Sequence, residues 1–299
     1  MNIASHLKYF FILPAVLSVV AIAAVAVWGL QPGLDLSGGS LLEVRYPAGR
    51  PQAEMVHAAA SDLGLGEVRV QETGEFGYLL RARDLTTAEK QSLDKALGML
   101  GTAEEVQFVS VGPSLGAELM RKGWIAVGLV ALLIIAFIAF AFRKVSDPVA
   151  SWKYGVVAII TLLHDILVPV GLFAFLGYLI GAEVDALFIV ALLTILGISI
   201  NDTIVIFDRI RENLRLNSEH HKKEEFEGVV GRSISQTLAR SINTSVTVVI
   251  VLLALYFVGP DSTRNFALTL IVGMVAGTYS SIFLASPLLV VWEKWGRRG

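Results

Sequence analysis

Four ionisable residues lie inside or at the edge of long apolar segments: His164, Asp165, Asp202 and Arg240. A charge at the centre of a lipid bilayer costs at least about 2.5–3.5 kcal/mol, so such side chains usually face protein or water. A carboxyl group near a guanidinium can bind a proton reversibly, because the positive charge favours the carboxylate and its withdrawal favours the neutral acid. These four residues are therefore the first candidates for chemistry.

Asp202 has the most polar surroundings of the four. Helical spacing places Ser199 one turn before it, and the small or polar residues Thr194, Gly197 and Asn201 form one strip of the same helix. A strip of this kind favours contact with another helix over contact with lipid.

The next apolar segment carries a matching strip, formed by Arg240, Asn243, Thr244 and Thr247. We therefore predict a proton-coupling site that consists of Asp202, Arg240, Asn201, Asn243 and Thr244. Two other interpretations stay open, namely a static ion pair between Asp202 and Arg240, and an arginine that only extends its charge to the membrane surface.

His164 and Asp165 share a helix face with Thr161 and Val168, next to Pro169. Adjacent hydrogen-bonding residues near a proline often satisfy backbone groups that a kinked helix leaves free. This pair is a possible secondary polar site inside the membrane, and a purely structural role at the kink is the alternative. Further along the chain, residues every four positions have the spacing of close helix packing: Thr269, Gly273, Gly277 and Ser281.

Several kinds of chemistry are excluded by motifs that the sequence lacks. The chain has no cysteine, so thiolate metal sites and cysteine nucleophiles are ruled out. It contains no phosphate-binding loop, no His-Glu-x-x-His zinc motif and no Gly-x-Ser-x-Gly nucleophile motif. Residues 197–202 also lack the Gly-x-Gly-Asp pattern of intramembrane aspartyl proteases. We expect no enzyme activity, no metal and no cofactor, and the net charge of −2 does not indicate nucleic acid as a partner.

The elements that must position these residues are membrane helices. The chain has 299 residues, of which 55% are hydrophobic and 17% charged, and its mean hydropathy is +0.67. About 20 apolar residues cross a bilayer as a helix. Six apolar segments are long enough or nearly so: 10–30, 124–142, 155–180, 186–207, 243–258 and 265–292. The first exceeds the apolar region of a cleavable signal peptide, so we expect an uncleaved helix.

The distribution of lysine and arginine predicts how these six helices are oriented. Basic residues cluster in three places: in the connection 208–241, around Lys153, and after the sixth helix. The first of these connections begins at Asp208. The connections 181–185 and 259–264 are poor in them. The positive-inside rule therefore predicts that both termini and the loop 208–241 are cytoplasmic. The predicted divisions are the N-terminus with the first helix at 1–30, an external domain at 31–123, and helices two to six at 124–299.

The segment 31–123 has the pattern of a folded domain. Strands are predicted at 40–46, 67–72, 78–83 and 106–111, and helices at 51–63 and from Thr86 to about Leu100. Thr86 and Glu89 have the spacing of a capping box. The order βαββαβ is that of a ferredoxin-like sandwich. The predicted fold is thus an all-α membrane bundle of six helices with an inserted α+β, ferredoxin-like domain on the periplasmic side.

Longer motifs resemble the SecF family of the bacterial Sec protein-export machinery, within the resistance–nodulation–division superfamily. The segment Gly33-Leu-Asp35-Leu-Ser-Gly38-Gly39 is similar to the motif Gly-x-Asp-Phe-x-Gly-Gly of that family, with Leu36 in place of phenylalanine. Residues 111–116 resemble the motif that closes the external domain, and residues 163–165 resemble a signature of the third helix. The strongest similarity covers residues 200–213 and 236–245.

The resemblance implies a function and a set of partners. Members pair with SecD, associate with the SecYEG channel and YajC, and use the proton gradient to draw an unfolded polypeptide outwards across the bacterial cytoplasmic (inner) membrane after SecA has pushed it. The intramembrane acid and the arginine of the family fall on Asp202 and Arg240. Six helices are half of the superfamily's usual unit, so a partner is expected. Two alternatives remain: half of a proton-driven exporter of lipids or small molecules, and a scaffold that couples no ion movement.

Overall fold

The computed structural model describes residues 3–141 and 149–296. The chain divides into two compact units, one formed by Met1–Gln31 with Trp124–Gly299 and the other by Pro32–Gly123. Arg143, Lys144, Arg297 and Arg298, which contribute to the predicted orientation, lie outside the described residues, as does the end of the second predicted segment at 142.

Helices and strands follow one another along the chain in this order: α1 (Ile3–Trp28), α2 (Leu34–Ser37), β1 (Gly39–Arg45), α3 (Ala53–Ser61), β2 (Arg69–Thr73), β3 (Gly77–Ala82), α4 (Thr87–Gly98), β4 (Glu104–Val111), α5 (Pro113–Ala141), α6 (Ser151–Ile180), α7 (Ala186–Glu219), α8 (Phe226–Val258), α9 (Asp261–Ser280), a π-helix (Ser281–Ala285) and α10 (Ser286–Gly296).

Six helical segments are long and apolar enough to cross a membrane, which confirms the predicted number and makes the chain a multi-pass membrane protein. They are Phe10–Trp28, Pro113–Ala141, Trp152–Ile180, Ala186–Glu219, Phe226–Val258 and Asp261–Trp295. The last of them continues without a break from α9 through the π-helix into α10.

The unit Pro32–Gly123 contains an antiparallel sheet of four strands in the order β2-β3-β1-β4. Alternating side chains of β1 and β3 point into one core, as the period of two in a strand requires. The helices α3 and α4 contribute to the same core and contact each other. Its members include Leu42, Val44, Leu80, Val56 and Leu93.

The predicted helix and strand pattern of this unit agrees with the observed elements to within a few residues at each end. The predicted capping box is also present: Thr86 accepts from the backbone N–H of Glu89, and the Glu89 side chain accepts from that of Thr86. A hydrogen bond from Arg83 and those from Thr86 lower the pKa of Glu89 to about 2. The cap therefore stays ionised at any ordinary pH.

The connection predicted at 208–241 between the fourth and fifth spans is mostly helical. The helix α7 continues to Glu219 and α8 begins at Phe226, so only six residues between them are not helical. Ion pairs one turn apart, such as Arg211–Asp208 and Arg215–Glu219, line the outer face of α7. The two helices contact each other, and four apolar side chains in this region are buried: Ile210, Phe226, Val229 and Val230.

Glycines allow the membrane helices to approach one another closely. A Cβ on Gly171 of α6 would lie 2.4 Å from the Cα of Ala21 on α1. A Cβ on Gly273 of α9 would lie 2.2 Å from the Cδ1 of Ile195 on α7. The predicted strip of small residues on α9 is therefore a packing surface against α7.

Candidate functional site

Asp202 lies on α7 and is buried, with 7% of its surface exposed. Its neighbour Thr203 is also buried, whereas Asn201 on the other side is exposed. An acidic side chain at this depth in an apolar helix faces protein because lipid offers it no hydrogen bonds. The position of Asp202 is thus compatible with a carboxyl group whose access to protons is controlled by the surrounding helices.

Arg240 lies on α8 and is exposed. Its positive charge acts on the carboxyl group of Asp202, yet no ion pair within 4.0 Å joins these two described residues. The static bridge considered from the sequence is therefore absent from this conformation. The arginine lies within electrostatic range of the Asp202 carboxyl group but does not form an ion pair with it.

A cleft of about 340 Å³ lies between α7 and α8 and has Arg240, but not Asp202, in its lining. Charged and polar side chains make up most of its lining, which favours the presence of water and ions in it. The lining residues are Ile204, Val205, Asp208, Arg209, Glu212, Gln236, Thr237 and Arg240.

The remaining members of the predicted site, Asn201, Asn243 and Thr244, are exposed in the single chain. The hydroxyl of Thr244 donates to the backbone oxygen of Arg240 at 2.9 Å. Within the described residues, the structure brings none of the three into a hydrogen bond with Asp202. They form a polar surface next to the buried carboxyl group instead.

Below the cleft, a polar network that the sequence analysis missed joins α7 to α8. Asn213 Nδ2 donates to Ser233 Oγ at 2.8 Å, and Arg232 pairs with Glu224 at 2.6 Å. Asn217 Nδ2 donates to the same carboxylate at 2.8 Å. Burial alone would raise the pKa of Glu224, but the Asn217 hydrogen bond and the Arg232 charge lower it overall. The asparagines four residues apart on α7 were the available sequence signal.

His164 and Asp165, the predicted secondary pair, are both buried on α6 but face different helices. His164 Nδ1 and Ser18 Oγ of α1 form a hydrogen bond of 2.9 Å. Asp165, with 0% of its surface exposed, accepts a hydrogen bond at Oδ2 from Ser199 Oγ of α7. The Asp165 Oδ1 atom is buried and has no hydrogen-bond partner among the described residues.

The side chains around Asp165 form what we call the serine–aspartate cluster: Asp165, Ser199, Thr203, Ser280 and Ser281. All five are at most 4% exposed. Thr203 Oγ1 and Ser281 Oγ are 2.8 Å apart, which joins α7 to the start of the π-helix. From the sequence, Asp165 was predicted as part of a polar site and Ser199 was placed beside Asp202, but no contact between the two was predicted, because serines in membrane helices are also common packing residues.

The motif residues Gly33, Asp35, Gly38 and Gly39 lie in and around α2 and begin the unit Pro32–Gly123. Gly38 has φ +73°, and a Cβ there would lie 2.6 Å from the Cα of Pro113. This motif therefore packs against the start of α5, and its role in the described structure is conformational. Among the described residues, no group of three or more His, Asp or Glu side chains is arranged to hold a metal ion.

Comparisons with known proteins give the chain its family. The sequence profile described as "Protein export membrane protein SecD/SecF, C-terminal" matches residues 91–295. "Protein translocase subunit SecF" of Thermobaculum terrenum is 43% identical over 298 residues, covering 95% of this chain and 91% of that protein. The protein of the same name from Anaerolinea thermophila is 39% identical over 310 residues, covering 100% of this chain and 98% of its own length.

A solved structure agrees in fold as well as in sequence. The crystal structure of SecDF, a translocon-associated membrane protein from Thermus thermophilus, superposes with a TM-score of 0.81 at 31% identity. The match covers 98% of this chain but 39% of the SecDF chain, so this chain spans well under half of that protein. The chain belongs to the SecD/SecF family of protein export membrane proteins, and within it to the SecF translocase subunits.

Proposed function

We propose that this chain works with SecD in the bacterial Sec export machinery and uses the proton motive force to promote the late translocation of polypeptides. The chain lies in the cytoplasmic membrane with both termini inside and the unit Pro32–Gly123 outside. Family membership supports the translocase role. The SecDF chain, of which this chain matches 39%, supports a SecD partner that supplies the other part.

One observation carries the coupling proposal: Asp202 is buried within electrostatic range of Arg240 but is not paired with it. A small movement of α8 towards α7 would close the pair and favour the carboxylate. The opposite movement would favour the neutral acid. Proton binding to Asp202 and the position of α8 are then linked in one equilibrium. Such a link is required if proton movement is to drive a conformational change.

The energy available is sufficient for such a device. Moving one elementary charge across about 100 mV corresponds to about 2.3 kcal/mol. Since about 1.4 kcal/mol changes an equilibrium constant tenfold, a single proton can shift a balanced pair of conformations by more than tenfold. The cleft lined by Asp208, Glu212 and Arg240 supplies the cytoplasmic access for that proton.

The architecture proposed for the two units follows the same family. The sheet order β2-β3-β1-β4 with two helices supports a ferredoxin-like sandwich for the external domain. The six spans form half of a transporter unit of the resistance–nodulation–division type, with SecD as the other half. We further propose contacts with the SecYEG channel, YajC and the unfolded polypeptide, and an indirect functional link to SecA.

The experiment that tests this proposal is the substitution Asp202→Asn, which keeps the shape of the side chain and removes its ability to ionise. We expect the variant to insert into the membrane at the wild-type level. Export of a secretory protein should fall to the rate that wild-type vesicles show after an uncoupler has collapsed the proton gradient. The measurement is the amount of protease-protected substrate in vesicles that contain the full translocase.

Asp261→Asn is the matched control, because Asp261 is an acid of the same unit that is 88% exposed at the start of α9. This variant should keep gradient-dependent export. Undiminished gradient-dependent export by Asp202→Asn would refute the coupling proposal and favour a scaffold.

A further inference from the structure

Asp165 is a buried acid that the coupling between Asp202 and Arg240 does not use. It lies on α6, is 0% exposed, and receives one hydrogen bond, from Ser199. The hydroxyl of Ser280 is close to the same carboxyl group, but its proton is directed to the backbone oxygen of Gly277 at 3.1 Å. The Oδ1 atom of Asp165 is therefore left without a donor.

An ionised carboxylate of Asp165 would have too few favourable interactions to offset the cost of burying its charge. A buried charge costs several kcal/mol unless a counter-charge and hydrogen bonds offset it. The elements packed against α6 are α1, α7, α9, the π-helix and α10. Among the residues whose side chains the structure describes, the titratable groups within the bundle are Tyr154 and His164 on α6 itself, Asp202 on α7, Tyr279 on α9 and Glu293 on α10.

None of these groups supplies a fixed positive charge to Asp165. Asp202, Tyr154, Tyr279 and Glu293 are neutral or negative, and the π-helix and the residues of α1 from Phe10 to Trp28 carry no titratable side chain. The titratable residues of α1, His6, Lys8 and Tyr9, all lie in the sequence before Phe10, in the first part of that helix. His164 directs its Nδ1 to Ser18 of α1, whereas Asp165 is bonded to α7. A bound proton is the simplest way to neutralise this carboxyl group in the packing observed.

The surroundings of Asp165 are built so that this packing can change. A Cβ on Gly277 of α9 would lie 2.9 Å from the Cβ of Ser199, so α9 touches α7 at the very residue that bonds to Asp165. The next residues of this span form the π-helix Ser281–Ala285. Single turns of π-helix inside α-helices are frequent at functional sites. A displacement of α9 would therefore alter the environment of the carboxyl group directly.

We propose that the serine–aspartate cluster is a second proton-binding site of this protein, separate from Asp202. Asp165 holds a proton as a neutral acid while α6, α7 and α9 are packed as described here. Separation of α9 from α7 admits water, and the carboxyl group then dissociates into a carboxylate and a proton that passes to that water. Rebinding of the proton restores the packed state, so the cluster responds to pH through the position of α9.

The test is infrared difference spectroscopy of the full-length protein in lipid bilayers, recorded between neutral and alkaline pH. A protonated carboxyl group has a carbonyl stretch that is distinct from carboxylate and amide bands. We expect wild-type protein to show such a band that is lost reversibly at alkaline pH. Asp165→Asn should lack this band, and Asp202→Asn should retain it.

A second variant keeps the test decisive if Asp165→Asn does not fold. Ser199→Ala removes the one hydrogen bond to the carboxyl group, so the same band should remain but move to higher frequency. A band that persists unchanged in Ser199→Ala or in Asp165→Asn would overturn the assignment to Asp165. A band that does not respond to pH would mean that Asp165 is a permanently neutral structural acid. A band that responds to sodium at fixed pH would mean that the cluster is a sodium site. Either result refutes the proposal. Because Asp202→Asn is measured in parallel, failure here is distinguishable from failure of the coupling proposal.

Discussion

Asp202 and Asp165 are both buried acids of the membrane bundle, but their surroundings differ in one respect. Asp202 has a guanidinium within electrostatic range, whereas Asp165 has hydroxyl groups and, among the side chains that the structure describes, no cation beside it. A carboxyl group with a movable counter-charge changes its proton affinity when the counter-charge moves. A carboxyl group surrounded by hydroxyls changes its affinity when water enters. The two residues are therefore suited to different steps of one cycle.

The role proposed for Arg240 leads to a prediction about its charge. Arg240→Gln should reduce gradient-dependent export to the level of Asp202→Asn, because the carboxyl group then has no counter-charge to approach. Arg240→Lys keeps the charge on a side chain of different geometry and should retain part of the activity. The measurement is the difference in export rate with and without a proton gradient.

Arg215→Gln is the control for the Arg240 variants. Arg215 is an exposed arginine near the C-terminal end of α7 that pairs with Glu219 one turn away. Such a surface pair is worth about 0–1 kcal/mol, so export should be unaffected. Full activity of Arg240→Gln, or equal losses in both glutamine variants, would argue against a specific role for Arg240.

At the scale of elements, the contact between α7 and α9 is close enough for a single added methyl group to test it. In Gly273→Ala the new Cβ would lie 2.2 Å from the Cδ1 of Ile195. Forcing an extra methyl group into a packed interior costs about 1–3 kcal/mol. We expect a lower melting temperature of the purified protein, measured by loss of the monodisperse peak in size-exclusion chromatography after heating.

Two further variants separate this clash from other effects of the substitution. Ile195→Ala combined with Gly273→Ala should be more stable than the sum of the single changes predicts, because the side chain that clashes is gone. Gly128→Ala on α5 has no atom within 4 Å of the new Cβ and should not lower the melting temperature. Strict additivity of the two changes would show that the packing surface is not where we place it.

The elements were predictable where a local pattern determines them. The alternation in β1 and β3, the capping box at Thr86 and the six apolar segments all depend on residues close together in sequence. The full length of the helices in the connection 208–241 was not predictable, because their inner faces are apolar only in part and their outer faces are charged. Helices of that kind are stabilised by packing against each other, which the sequence does not display.

Within the candidate site, only the residues whose charge is energetically unfavourable in an apolar segment were predictable. Asp202, Arg240, His164 and Asp165 were identified because charge in an apolar segment is expensive. Their partners were not, since Ser18 lies 146 residues from His164 and Ser199 lies 34 residues from Asp165. Ser280 and Ser281 are also common packing residues, so nothing in the sequence relates them to a carboxyl group.

At the scale of the whole molecule, α8 presents a surface that the described chain leaves uncovered. Asn243, Thr244 and the charged Arg240 are exposed there beside apolar residues such as Ile250. Polar side chains in a membrane usually face protein. This surface is therefore where we expect the SecD partner to pack, next to the proposed coupling site.

That expectation can be tested by photo-crosslinking in cells that express both subunits. A benzoylphenylalanine at Ile250, which is 60% exposed, should form a crosslink to SecD. The same group at Leu163 of α6, which is 61% exposed on an apolar face, should react with lipid and give no protein adduct. SecD adducts at Leu163 and none at Ile250 would mean that SecD packs against α6 and not against α8, and would contradict this expectation.

The most direct test of the coupling account is proton flux through the purified SecD-containing complex in sealed vesicles with an internal pH-sensitive dye. Under an imposed proton gradient, the wild-type complex and Asp261→Asn should acidify the interior at the same rate. Asp202→Asn should acidify it no faster than vesicles without protein. Wild-type flux through Asp202→Asn would contradict the account, because protons would then cross without the carboxyl group on which the coupling depends.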